Sequence, residues 1–102
     1  MVQLSAWEQF VIGLLISFLQ FLSGKATATI SLSVWEQIVV NAGLSFLNYL
    51  ATVIKNVTES SAVEGVIGFL EGLISDGKIE ADAIAAAISF LQRLLSGQVS
   101  TT

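Results

Sequence analysis

Two heptapeptides separated by 28 positions, Leu4-Ser5-Ala6-Trp7-Glu8-Gln9-Phe10 and Leu32-Ser33-Val34-Trp35-Glu36-Gln37-Ile38, contain both tryptophans of this 102-residue chain. In each, a serine stands three residues ahead of a glutamate and an apolar run follows. That spacing is a capping box: the serine hydroxyl accepts from the glutamate amide, and the glutamate carboxylate accepts from the serine amide. Ser61 and Glu64 repeat it before a third apolar run. The glutamates also complement the positive end of the helix dipole.

The repeat continues past the cap. At the same offset Gln9 aligns with Gln37, Gly13 with Asn41, Ser17 with Ser45, Gln20 with Asn48 and Gly24 with Thr52. These steps of three and four place small and polar residues on one helical stripe, with apolar residues over the rest of the cylinder. The stripe recurs as Glu64, Gly68, Glu71, Ser75 and as Ala85, Ser89, Gln92, Ser96, and each unit encloses a Phe-Leu pair: Phe18-Leu19, Phe46-Leu47, Phe69-Leu70 and Phe90-Leu91. The predicted fold is therefore all-α, a four-helix bundle-like single domain over residues 1–102, with helices at 6–23, 34–55, 61–75 and 79–96. Gly24, Gly77 and Gly97 follow apolar runs and are expected to close helices in the left-handed conformation. The alternation in Ala26-Thr27-Ala28-Thr29-Ile30-Ser31-Leu32, echoed by Val2-Gln3-Leu4, predicts short extended arms at 26–32 and 1–4.

Several function classes find no support. Cysteine and histidine are absent, which removes thiolate nucleophiles, zinc-finger spacings and the side chain best suited to proton transfer near neutrality. Asp76-Gly77-Lys78-Ile79 has the look of an EF-hand centre, but the calcium positions would fall on Gly72, Ile74 and Ala83. Glu80 and Asp82 fit the dipole of a helix start better than a catalytic pair. Enzymatic activity, a cofactor and a metal are thus not expected, and four basic residues in a chain of net charge −4 give no footprint for nucleic acid. No positive region precedes the apolar run that begins at Phe10, so a signal peptide is not expected.

What stands out is an excess of apolar residues: 54% hydrophobic against 12% charged, where soluble domains carry about 25% charged. Something must cover that surface. The expectation is a non-enzymatic structural subunit that associates with itself or packs into a larger particle, virion-like or another multi-subunit shell. Trp7, Phe10, Leu14, Phe18, Trp35, Ile38, Phe46, Leu50, Phe69 and Phe90 are expected at the core or interface, and Gly13, Gly68, Gly72 and Ala85 at close helix contacts. One alternative is a small membrane-associated, holin-like protein, since residues 9–24 and 37–54 are free of charge but at or below the roughly 20 residues of a span. Under that reading the small-residue stripe turns inward; with protein as the cover it faces water or a polar seam. A second alternative is a helical carrier of an apolar ligand in a void beside Ala83 to Ala87.

Overall fold

A computed structural model describes residues 4–24 and 31–99. Four α-helices occupy most of them: α1 (Ala6–Ser23), α2 (Val34–Val53), α3 (Val57–Asp76) and α4 (Ala81–Leu95). The protein is all-α, as the stripe and caps predict, and no strand occurs among the described residues. Residues 26–30 of one expected arm and 1–3 of the other lie outside the described residues; Leu4 and Leu32 pack against the core as non-helical leads into α1 and α2.

Each helix touches its chain neighbours and α4 closes back on α1, while neither α1 and α3 nor α2 and α4 approach within 8 Å between Cα atoms. That is a square four-helix bundle measuring 37 × 25 × 20 Å. Its core is one ladder written four times. Ile12, Leu15, Leu19 and Leu22 of α1 are buried, as are Val40, Gly43, Leu47 and Leu50 of α2. Val63, Val66, Leu70 and Leu73 of α3 and Ile84, Ala87, Leu91 and Leu94 of α4 complete it. In every helix the steps are three, four and three, the seam spacing of helices that pack side by side. The Leu of each Phe-Leu pair is the third rung, so the repeats in the sequence are repeats of core geometry.

The polar stripe faces outward apart from the half-buried Gly13: Gln9, Ser17 and Gln20 of α1, Gln37, Asn41, Ser45 and Asn48 of α2, and Glu64, Gly68, Glu71 and Ser75 of α3 are exposed, and so are Ala85, Ser89 and Gln92 of α4 and its C-cap Ser96. Close helix contact at Gly13, Gly68, Gly72 and Ala85 is accordingly not found within the chain. A Cβ added at Gly13, Gly68 or Gly72 would meet nothing within 4 Å, and Ala85 is exposed. The close approach is at Gly43, on the ladder rather than the stripe, where a Cβ would lie 2.7 Å from Leu15 Cδ2. Gly68→Leu is therefore expected to fold normally and to gain several tenths of a kcal/mol from helix propensity. Thermal denaturation tests it, and a lower melting temperature would reveal a close neighbour at that site.

Helix boundaries differ from the sequence expectation where tertiary contacts intervene. The third helix starts at Val57, not at residue 61: Asn56 is the N-cap, its Oδ1 accepting from the Glu59 amide at 3.1 Å, and Ser61 lies exposed inside the helix. The early start carries Glu59 to Arg93 on α4, whose Nη1 donates to both carboxylate oxygens at 3.0 and 2.9 Å. The second helix ends at Val53 because Ile54 turns extended and is buried against the core. The fourth helix begins at Ala81 rather than 79 and ends at Leu95 rather than 96, with its N-cap Glu80 extended and Ile79 buried ahead of it. Gly77 and Gly97 adopt positive φ, 66° and 76°, as expected. Gly24 does not; its φ of −75° is right-handed.

Candidate functional interface

Advancing about 100° per residue around α1 separates its apolar residues into two arcs. One is the core ladder. The other holds Trp7, Phe10, Leu14, Phe18 and Phe21, and the matching arc of α2 holds Trp35, Ile38, Ala42, Phe46 and Tyr49. The residues expected at core or interface divide accordingly: Leu50 and Phe90 are buried, Leu14, Phe18, Phe46 and Phe69 are half-buried, and Trp7, Phe10, Trp35 and Ile38 are exposed by 68, 55, 64 and 54%.

The two tryptophans project from identical helix starts. At α1 the Ser5 amide donates to Glu8 Oε1 at 2.8 Å and the Glu8 amide to Ser5 Oγ at 3.2 Å; Ser33 and Glu36 give the same two distances at α2. Gln9 Nε2 donates to the Leu4 carbonyl at 3.2 Å, and Gln37 Nε2 to the Leu32 carbonyl at 3.1 Å. Each capping box engages its glutamate carboxylate with the helix's own backbone beside the aromatic face. Trp7 and Phe10 lie 5.9 Å apart between ring centroids, tilted by 36°.

Three clefts furrow this face. A central one of about 130 Å³ is lined by Trp7, Phe10, Val11 and Leu14 of α1 and by Trp35, Ile38, Val39 and Ala42 of α2. A cleft of about 370 Å³ lies between the start of α1 and the end of α2, bordered by Trp7, Glu8, Val11, Ala42, Ser45, Phe46 and Tyr49. A smaller one, about 70 Å³, lies at the other end beside Leu14, Phe18, Trp35, Glu36 and Val39. These pairings show that α1 and α2 run antiparallel. No lysine or arginine lines any of the three.

On the opposite side of the bundle, a groove of about 410 Å³ is floored by Gly65, Gly68 and Gly72 and bordered by Glu64, Asp76, Lys78 and Glu80. Lys78 and Glu80 pair at 3.3 Å across exposed ends. Asp82 is exposed outside it. The alanines expected to border a ligand void do not line one together: Ala87 is a ladder residue, Ala85 and Ala86 are exposed, and Ala83 borders this groove.

Val11, Phe21, Val39, Ala42 and Tyr49 on this face, and Gly43 beneath it, are residues that sequence reasoning passes over. A signal exists for Ala42, the image of Leu14 at the offset of the repeat. No family model, curated protein or solved structure matches this chain.

Proposed function

We propose that the protein is a non-enzymatic structural subunit that acts by associating with other protein through the aromatic face of α1 and α2. The observation that carries this reading is the exposure of Trp7, Phe10, Trp35 and Ile38 around apolar clefts on a bundle whose core is already complete without them. Aromatic side chains of this size are the usual anchors of protein interfaces, and leaving four large apolar groups together in water is costly.

The outward stripe supports protein over lipid as the cover. A bundle bathed in lipid turns its polar residues inward, whereas here they face out on all four helices. Among the described residues one helix, α1, is long and apolar enough by length and composition to cross a membrane, at 18 residues. Its ladder residues are, however, committed to the core. The membrane reading is tested alongside: the full chain is mixed with phosphatidylcholine vesicles and floated on a gradient, and sedimentation is measured without lipid across a range of concentrations. The expected result is association above the 10.8 kDa monomer mass and no flotation. Flotation with the vesicles, or a monomer at every concentration, would overturn the proposal.

A further inference from the structure

The aromatic face has a two-fold symmetry of its own. Adding 28 to the α1 residues of the central cleft, 7, 10, 11 and 14, gives its α2 residues, 35, 38, 39 and 42, so the cleft maps onto itself. The same operation, run from α1 to α2 and from α2 to α1, carries most of the large end cleft onto the small one; only Ser45 and Tyr49 of the large cleft have no counterpart lining the small one. Trp7, Glu8 and Val11 become Trp35, Glu36 and Val39, while Ala42 and Phe46 become Leu14 and Phe18. Burial follows the same rule: Trp7 and Trp35 are 68 and 64% exposed, Phe10 and Ile38 55 and 54%, and Val11 and Val39 are both buried. The end clefts differ in size, about 370 against 70 Å³, where Leu14 of the small one stands in place of Ala42. An approximate dyad thus passes through the centre of the face, perpendicular to it and between the antiparallel helices.

From this we infer that the partner covering the face is a second copy of the chain, docked α1/α2 pair against α1/α2 pair about a two-fold axis lying in the plane of the face. The inference rests on the proposed function and names its partner. A homodimer interface is self-complementary, each patch meeting itself. A face with its own approximate dyad meets that condition at both ends at once: a tryptophan projects beside an end cleft at Trp7 and again at Trp35, and stacking two faces sets projections against clefts four times over.

The area is also sufficient. Taking about 150–250 Å² per aromatic side chain, the exposed parts of Trp7, Phe10, Trp35 and Ile38 present about 500 Å². Phe21 and Tyr49, exposed by 57 and 59% on the same arcs, bring this near the roughly 800 Å² per partner of a stable interface. The charged groups lining these clefts are Glu8 and Glu36, each with its Oε1 accepting from the amide of its own N-cap serine.

Sedimentation equilibrium of the full chain and of Trp7→Ser, Trp35→Ser and Ile74→Ser variants tests the arrangement, with circular dichroism to verify that each variant folds. Trp7, Trp35 and Ile74 are all exposed, and Ile74 lies on α3, away from the face. The expected result is a dimer of twice 10.8 kDa. Each tryptophan variant should weaken it about tenfold or more, as anchor residues do, by factors within about threefold of each other, with Ile74→Ser inside about twofold of the parent. Assemblies that form but depend on only one tryptophan, or on neither, would overturn this arrangement while leaving association as the function. A folded parent that stays monomeric at all concentrations would remove both.

Discussion

Replacing Leu47 by alanine is expected to lower the unfolding free energy by about 2–5 kcal/mol, the range for truncating a large aliphatic side chain in a packed core. For a chain of this length that corresponds to a melting temperature about 10–25 °C lower. Leu47 is fully buried as the third rung of α2, within the one core cluster to which all four helices contribute. The residues around it are themselves committed to that core, so truncation leaves a cavity that they refill only in part. Calorimetry on the full chain gives the measurement. A loss below about 1 kcal/mol, the scale of a surface change, would mean that the ladder is not the core.

The second large effect concerns the clamp between α3 and α4, and it is unequal between its two ends. Glu59 has a side chain only 10% exposed, while that of Arg93 is 38% exposed and lies over the Phe90 ring at 5.5 Å. Arg93→Met leaves a carboxylate enclosed without its partner and is expected to cost about 2–4 kcal/mol, somewhat under the value for a wholly buried pair. Glu59→Gln leaves a guanidinium that water already reaches, and should cost about half as much. Denaturant titration of both variants tests the order. Equal losses, or a larger loss for Glu59→Gln, would show that the carboxylate reaches water more readily than its burial implies.

Most of the architecture was legible in the sequence because it is carried by local chemistry. A serine three residues before a glutamate starts α1 and α2 where expected, and the recurrent Phe-Leu pairs mark the third rung of every helix. What escaped was whatever depends on contacts distant in the chain. The start of α3 followed Asn56 rather than Ser61: Asn56 and Glu59 carry the same three-residue spacing as Ser61 and Glu64, so local chemistry offered two starts, and only the earlier one has the partner at Arg93, 34 residues away. Core and outer-face residues were expected together as one group, because hydropathy does not distinguish Leu19, at the core, from Phe10, on the outer face. Only the position of the neighbouring helices separates the two apolar arcs. Small residues misled for the same reason: Gly13, Gly68 and Gly72 resemble contact points by spacing, but the close contact fell at Gly43, where Leu15 projects from α1.

That contact also fixes how far along each other α1 and α2 can slide. Two antiparallel helices of related sequence, each apolar on two sides, offer little to distinguish one axial position from another a turn away, about 5.4 Å. Their charged residues, Glu8 and Glu36, are held within their own capping boxes and make no cross-helix pair. Gly43 removes the ambiguity: it is a notch in an otherwise bulky ladder, and Leu15 is the tooth that enters it. Slipped by one turn in either direction, Leu15 would confront Val39 or Leu47 instead. A single missing side chain therefore works as a vernier stop for the pair, seating Trp7 beside Ala42 and Trp35 beside Leu14 and so setting the spacing between the two tryptophans on the outer face.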